Sequence, residues 1–162
     1  RPGNDARATA ALLKLAAAYN KTCVDSQLAS DIMLEMWEKF VLLATLAGMT
    51  CLMRGAVGDI MAADDGEALM LAFLAACEAT ARAAGHAPRP ERMVQAHKLL
   101  TERGSAFTAS MLRDLESGRP TEHEHIVGDM LQRASQAGAA TDLLRAAYCH
   151  LQTNAARRAR TG

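Results

Sequence analysis

The 162-residue sequence has little of what a β-sheet protein needs. Aromatic residues make up 4% of the chain, there are four prolines, and no segment alternates apolar and polar residues between turn residues. The apolar half of the composition is instead dominated by Ala, Leu and Met, which favour helices over strands. These absences exclude a sheet-based fold, and we predict a single all-α domain over residues 1–162.

The chain also lacks net charge. Its 18 basic residues balance its 18 acidic residues, so no overall field attracts nucleic acid or an anionic membrane surface. The C-terminus is locally basic, with Arg157, Arg158 and Arg160. We interpret it as a frayed helix end whose cations suit the helix dipole, with a binding patch as the alternative. The longest apolar stretch, 40–53, is too short to span a bilayer, and we expect no nucleic-acid or membrane partner.

The cysteines and histidines form no pattern typical of a metal site. Cys23, Cys51, Cys77 and Cys149 are dispersed, without a CxxC pair. Three of them lie in apolar helical runs, which favours buried free thiols, a reducing compartment and a cytoplasmic location. His123 and His125 are two residues apart, so on a helix they point about 200° apart and could not bind one ion together. We therefore predict no metal.

No glycine-rich phosphate loop of the form GxGxxG follows a predicted strand. The chain therefore has no dinucleotide-binding fold of its own. It begins with Arg1 rather than Met, which suggests a fragment of a longer protein.

Apolar spacing predicts roughly six to eight helices joined by short loops. The first covers 5–19, with Leu12, Leu15, Ala16 and Tyr19 on its buried face. The second is long and central, and begins at a cap formed by Ser26 or Ser30. Its predicted buried residues are Ile32, Met33, Met36, Trp37, Phe40, Leu43 and Ala44.

Lys39 is the polar exception within this second helix. One interpretation is a surface lysine whose stem lies along the core while its ammonium stays in water. The other is a desolvated lysine with a lowered pKa, suited to proton transfer near neutral pH. The residues alone favour the first interpretation.

A tight corner lies within 105–128. Gly118 is expected to end a short helix, and Thr121 and Glu124 have the spacing of a capping box that starts the next one. Ser110 and Glu122 therefore lie on either side of the corner. Each has an ordinary explanation, Ser110 as a helix-start serine and Glu122 as an acid stabilised by the helix dipole, although helix formation requires neither.

Two segments carry a family resemblance. The string SMLRDLESGRPTE at 110–122 resembles the signature of the ketopantoate reductase (2-dehydropantoate 2-reductase) family, and DIMLEMWEKF at 31–40 resembles the Trp-x-Lys helix of that family. The resemblance covers only the C-terminal half of such an enzyme. It implies an all-α domain similar to the C-terminal domain of 6-phosphogluconate dehydrogenase, with the N-terminal Rossmann domain absent from this chain.

The resemblance also implies roles for particular residues. Lys39 would be the general acid that protonates the carbonyl oxygen of a 2-oxo acid as hydride arrives from NADPH. Glu122 would contact the substrate and the lysine, and Ser110 would hydrogen-bond the substrate. Asp114 is interpreted as structural, and the role of Arg119 is left open.

The same resemblance implies a cofactor and partners. NADPH would be bound in the full-length enzyme mainly by the missing domain, so we expect this chain alone to bind no cofactor and to be inactive. The implied partners are a small 2-oxo acid, the Rossmann domain of the same protein and a second subunit in a homodimer.

Two positions depart from the family pattern. Leu43 and Ala47 occupy places where the family usually has asparagines, one of which binds substrate in the better-known members. We therefore expect a different or more apolar 2-oxo acid than ketopantoate. The rival hypothesis is a non-catalytic helical dimerisation or interaction module that retains the scaffold.

Overall fold

A computed structural model describes residues 6–19, 21–23 and 28–161, and all regular structure within them is helical. This confirms the predicted all-α class. The helices are α1 (Ala6–Tyr19), α2 (Ile32–Met53), α3 (Val57–Met61), α4 (Gly66–Ala83), α5 (Pro90–Leu100), α6 (Ser110–Glu116), a π-helix (Glu124–Gly128), α7 (Asp129–Ala137) and α8 (Asp142–Thr161).

The chain divides into two compact units, 1–35 and 36–162. In the first unit, Leu12, Leu15 and Tyr19 of α1 are exposed, so the predicted buried face is wrong. Helical spacing predicts that an apolar face exists, but it does not supply a surface to cover that face. At the start of α2, the Leu34 amide donates to Asp31 Oδ1 at 3.1 Å, so Asp31 is the cap rather than Ser30; Ser26 lies outside the described residues. The single domain over 1–162 stays a prediction.

The core of the second unit is built around α2. Every residue from Ala44 to Cys51 is buried, as expected for a helix that is contacted from several sides. The side chains that share this core come from all the later helices, and the largest fully buried ones are Phe73, Met49, Met70, Leu74, Leu100, Met130, Leu144 and Leu151. The central position predicted for α2 is therefore observed.

Gly48 allows α2 and α4 to approach closely. A Cβ atom at this position would lie 2.3 Å from Cζ of Phe73, a separation that non-bonded atoms do not reach. Phe73 is fully buried, so a side chain at position 48 would require this ring to move.

Helix α2 is longer than the predicted apolar stretch 40–53. Its 22 residues reach the length and composition of a membrane span, with a mean hydropathy of 1.3 in the most apolar window. However, 61% of that window is buried inside this chain. This burial is typical of the core helix of a globular unit, which packs against other helices of the same chain.

Several helix ends match the sequence-based predictions. Gly118 has a φ of +68° and ends α6, as predicted for a left-handed glycine, and Gly138 ends α7 with the same φ. The C-terminal arginines, in contrast, are not frayed, because α8 continues to Thr161. Arg158 and Arg160 lie in its last turn, where cations suit the dipole.

The buried thiols are fewer than predicted. Cys51 and Cys77 are buried, and burial raises the pKa of each to about 12. These two thiols are therefore neutral and unreactive at neutral pH. Cys23 and Cys149 are exposed, so two buried cysteines replace the expected three.

Candidate functional site

Lys39 lies on a face of α2 that is exposed among the described residues. Met36 and Leu43 are three residues before and four residues after it, so all three side chains share this face. Lys39 is exposed, Met36 is 53% exposed and Leu43 is 40% exposed. The prediction that Met36 and Leu43 are buried is therefore wrong, as it is for Ile32 and Met33 nearer the start of the helix. We call Met36, Lys39 and Leu43 the lysine face.

The residue two positions before Lys39 fixes the orientation of α2. Trp37 is buried, its ring stacks on His86 with centroids 5.8 Å apart, and the Arg133 guanidinium lies 5.4 Å from the ring centroid. Phe40 packs against the same ring at 5.9 Å. Because Trp37 is held by groups from two other parts of the unit, α7 and the segment before α5, the helix cannot rotate without breaking these contacts.

Glu38 anchors the same segment by charge. Its side chain is only 4% exposed and receives hydrogen bonds from Arg89: the backbone N–H and Nε each donate to Oε1 at 2.8 Å, and Nη2 donates to Oε2 at 2.5 Å. Nε of Arg92 lies 3.5 Å from Oε2. These bonds, above all those from the Arg89 side chain, hold the pKa of Glu38 below its usual value.

Local sequence patterns do not predict this ion pair. Glu38 and Arg89 are 51 residues apart, so no local spacing connects them. Arg89 is the N-cap residue of α5, whose first helical residue is Pro90, and the Glu38 carboxylate therefore lies at the positive end of that helix. The only sequence feature that points to the ion pair is an acidic residue directly after the tryptophan of a mainly apolar helix.

Ser110 and Glu122 lie on the two sides of the predicted corner. Ser110 is the first residue of α6 and is exposed, and Glu122 is exposed just before the π-helix. The corner itself is held by other signature residues: Asp114 Oδ1 lies 2.7 Å from Arg119 Nη2, and the Arg119 amide donates to the Asp114 carbonyl at 2.8 Å. This supports the structural interpretation of Asp114 and gives Arg119 the same role.

Lys39 and Glu122 form no ion pair with each other. Within the described part of the chain, neither residue forms an ion pair or a side-chain hydrogen bond. Ser110 likewise forms no side-chain hydrogen bond there. The donor and acceptor groups of all three side chains are thus exposed and available to a ligand.

The capping box predicted at Thr121 is wrong. The Thr121 hydroxyl lies 2.9 Å from Nδ1 of His123 instead of bonding a helix amide. Nε2 of His123 lies 3.3 Å from Oε1 of Glu124, and Tyr148 donates to Oε2 of Glu124 at 2.5 Å. Nδ1 of His123 also lies 3.3 Å from the Thr121 carbonyl oxygen. Glu124 is therefore engaged by side chains, and its hydrogen bond raises the pKa of Tyr148.

The contacts of Glu124 with His123 and Tyr148 lie at the start of the π-helix. Gly128 is its last residue, and a Cβ there would lie 2.9 Å from Cε2 of Tyr148. The glycine therefore lets the tyrosine ring approach the widened turn. π-helices are rare and often occur near functional sites. The spacing that predicts the start of a regular helix at Thr121 contains no signal for the extra residue in this turn.

Two surface cavities lie elsewhere in the second unit. One, of about 690 Å³, is lined by the π-helix, α7 and α8, including His125, Arg145 and Tyr148. The other, of about 200 Å³, is lined by Arg54, the end of α6 and the last turns of α8. Neither of these two cavities is lined by Lys39, Ser110 or Glu122.

No cluster of three or more metal-binding side chains occurs in the described ranges. His123 is buried in the contacts with Thr121 and Glu124, whereas His125 is exposed. The two imidazoles thus have different surroundings.

The profile of the family described as ketopantoate reductase PanE/ApbA C-terminal matches residues 31–155. This range covers most of the chain and contains the Trp-x-Lys helix, the corner and the π-helix. The chain belongs to this family. The resemblance that rests on 31–40 and 110–122 is therefore confirmed.

Known proteins with similar sequence or structure agree with this family. The chain is 25% identical over 135 residues to an uncharacterized oxidoreductase, YkpB, of Bacillus subtilis, covering 83% of this chain and 45% of that protein. A ketopantoate reductase of Ralstonia eutropha has a TM-score of 0.81 at 18% identity, covering 91% of this chain and 49% of that one. A D-mandelate dehydrogenase with NADH and anilino(oxo)acetate has a TM-score of 0.76 at 16% identity, covering 93% and 50%.

The chain spans about half the length of the relatives that it matches. Membership of the ketopantoate reductase family points to an oxidoreductase, with this chain corresponding to the C-terminal part. The structural matches show the fold, which is that of the C-terminal domain of these reductases.

Proposed function

We propose that this chain is the substrate-binding and catalytic half of an oxidoreductase that reduces a 2-oxo acid to a 2-hydroxy acid with NADPH. The observation that carries the proposal is the exposure of the Lys39 side chain in a chain of this family. Its ammonium is exposed, forms no ion pair among the described residues, and projects from a helix whose other side is held by Trp37 and Glu38.

In this proposal, Lys39 is the proton donor. When bound, NADPH supplies a hydride to the carbonyl carbon of the substrate. The carbonyl oxygen becomes negatively charged, and the Lys39 ammonium donates a proton to it, giving the hydroxyl of the product. Because Lys39 is exposed, a solvent proton can restore the ammonium after each turnover. One hydride and one proton are consumed for each 2-oxo acid reduced.

Ser110 and Glu122 are proposed to orient the substrate. The Ser110 hydroxyl can donate to or accept from an oxygen of the 2-oxo acid, and Glu122 can accept a hydrogen bond from the substrate or from the Lys39 ammonium. Both groups are exposed and free to make such bonds. A pure scaffold requires none of the three side chains, so their joint presence favours catalysis.

The lysine face indicates the type of substrate. Leu43, one helical turn after Lys39, is exposed and offers no hydrogen bond, whereas Ala47 is buried. A substrate lying over Lys39 would therefore meet apolar groups at Met36 and Leu43. We propose a 2-oxo acid with an apolar side chain. The similarity to a protein named D-mandelate dehydrogenase, with the aromatic anilino(oxo)acetate in its structure, supports this proposal.

We further propose that the nicotinamide cofactor is bound mainly by an N-terminal Rossmann domain, because this chain contains no glycine-rich phosphate loop. The isolated chain would then be inactive. A homodimer in the cytoplasm completes the proposal, and a similar structure is described as a dimeric ketopantoate reductase of Staphylococcus aureus.

The test is NADPH and NADH oxidation by the full-length protein with ketopantoate and a panel of apolar 2-oxo acids. Lys39→Ala should lower kcat by about 10²-fold or more, the scale of one lost acid–base group. The matched control is Lys98→Ala, which removes an exposed lysine of α5. Its activity should equal that of the unchanged protein.

Two outcomes would contradict the proposal. Full activity in Lys39→Ala would show that Lys39 is not the proton donor. No turnover with any acid and either cofactor would favour the helical interaction module.

A further inference from the structure

Tyr148 of α8 contacts the turn that carries Glu122. Its hydroxyl donates to Oε2 of Glu124 at 2.5 Å, and its ring centroid lies 6.1 Å from that of the His123 imidazole. His123 and Glu124 are the two residues that follow Glu122 in the chain. Because Tyr148 lies 24 residues after Glu124, both contacts are tertiary. One side chain of α8 therefore reaches the segment directly after the candidate substrate ligand.

The turn around Glu122 is bonded on both sides of that residue. Before it, the Thr121 hydroxyl lies 2.9 Å from Nδ1 of His123, and after it, the Ile126 amide donates to the Glu122 carbonyl at 3.2 Å. Nε2 of His123 lies 3.3 Å from Oε1 of Glu124. His123 is buried, whereas Glu122 is exposed. The contacts thus run from Thr121 through His123 to Glu124, and the turn presents the Glu122 carboxylate to solvent.

Tyr148 is suited to hold this turn from outside. Gly128 lacks the Cβ that would lie 2.9 Å from Cε2 of Tyr148, so the ring can approach the π-helix. The hydrogen bond to Glu124 raises the pKa of Tyr148, so the phenol is protonated and acts as the donor at neutral pH. Gln152, on the same helix as Tyr148, also hydrogen-bonds this hydroxyl. The hydroxyl is thus engaged from both sides.

We propose that Tyr148 is a positioning residue for Glu122. Through Glu124 and His123 it holds the turn at 121–124, so that the Glu122 carboxylate keeps one orientation before the 2-oxo acid binds. A carboxylate on a turn that is already ordered loses less conformational freedom on binding, which strengthens its contact with the substrate. The role assigned to Tyr148 rests on the proposed function, in which Glu122 orients the substrate.

The first test compares Tyr148→Phe with Tyr19→Phe in NADPH oxidation by the full-length enzyme. Each variant removes one hydroxyl and keeps the ring, and Tyr19 is 42% exposed on α1. The Glu124 side chain is 58% exposed, so we expect a moderate effect. Tyr148→Phe should lower kcat/KM for the 2-oxo acid about fivefold, the scale of one hydrogen bond, without changing KM for NADPH. Tyr19→Phe should change neither constant.

A double-mutant cycle separates positioning from a general structural role. Glu122→Gln removes the charge that is proposed to contact the substrate, and it should lower kcat/KM by itself. If Tyr148 acts through Glu122, Tyr148→Phe should have no further effect in the Glu122→Gln background. An equal loss in both backgrounds would overturn the proposal, because Tyr148 would then act independently of Glu122.

The same variants distinguish this proposal from the proposed function. If Glu122→Gln lowers kcat/KM and Tyr148→Phe does not, the positioning role is wrong and the proposed function stands. If Glu122→Gln has no effect, the proposed role of Glu122 is wrong, and the role of Tyr148 is wrong with it.

Amide hydrogen exchange tests the contact without any turnover. Because the Ile126 amide donates to the Glu122 carbonyl, its exchange rate reports how firmly the turn is held. Tyr148→Phe should raise this rate about fivefold, with no change at the amide of Leu74, a buried residue of α4. An unchanged rate at Ile126 would overturn the proposal, whether or not the full-length protein is active.

Discussion

The two sides of α2 differ sharply over a few residues. On one side, Trp37 and Glu38 are buried and bonded to α5, α7 and the segment before α5. On the other side, Met36, Lys39 and Leu43 are exposed, and Lys39 has no partner among the described residues. The two sides of one helix therefore differ in role: the buried side holds the fold, and the exposed side leaves the Lys39 side chain accessible to solvent.

The largest effect is expected on the buried side, at Gly48. Gly48→Val should lower the free energy of unfolding by about 3 kcal/mol, because the new side chain would overlap the Phe73 ring. Chemical denaturation measures this value. Leu43→Val, which places the same side chain on the lysine face, is the control and should stay within about 0.5 kcal/mol of the unchanged chain. Equal effects would mean that the two sides of α2 are packed alike.

The second-largest effect on the free energy of unfolding is expected for the loss of the Glu38 carboxylate. Glu38→Ala should lower the free energy of unfolding by about 2 kcal/mol, because Arg89 loses a charged acceptor for two side-chain hydrogen bonds and a backbone one. The control is Glu78→Ala, which removes the carboxylate of an exposed pair with Arg82 and should cost about 0.5 kcal/mol.

The same carboxylate predicts a pH dependence. The pKa of Glu38 is lowered by folding from 4.5, so its stabilisation is complete above that value and is lost as pH falls through the lower folded pKa. The stability difference between the unchanged chain and Glu38→Gln should therefore be constant near pH 7 and shrink below about pH 4.5. A difference that grows on acidification would contradict this assignment.

On the lysine face, Leu43→Asn tests substrate preference. In the full-length enzyme it should raise kcat/KM for ketopantoate, relative to an apolar 2-oxo acid, by about tenfold, the scale of one added hydrogen bond. The matched control is Val94→Asn on α5, another exposed apolar position, which should not change the ratio. An unchanged kcat/KM ratio in Leu43→Asn would show that the side chain at position 43 does not set the substrate preference.

The smallest effect is expected for the stability of Lys39→Ala. Because Lys39 is exposed and unpaired among the described residues, its loss should change the free energy of unfolding by no more than about 0.5 kcal/mol. Together with the expected loss of kcat, this separates chemistry from folding. A large loss of stability would place Lys39 with Trp37 and Glu38 as a structural residue.

Local patterns predicted the parts of the fold that local forces determine. Composition and spacing were enough for the all-α class, for the left-handed end at Gly118, and for the central position of α2. Motif resemblance was enough for the family. The π-helix, the Glu38–Arg89 pair and the replacement of the Thr121 cap by a contact with His123 were missed, because each depends on a partner that local spacing does not identify.

The sequence by itself determined which segments are helical and which family the chain belongs to, because helix propensity, glycine ends and signature motifs depend on neighbouring residues. Only the tertiary structure decided which apolar side chains are covered. Met36 and Trp37 are adjacent and both apolar, yet one is exposed and the other buried. The physical reason is that burial requires an opposing surface, and folding supplies that surface from residues distant in the chain.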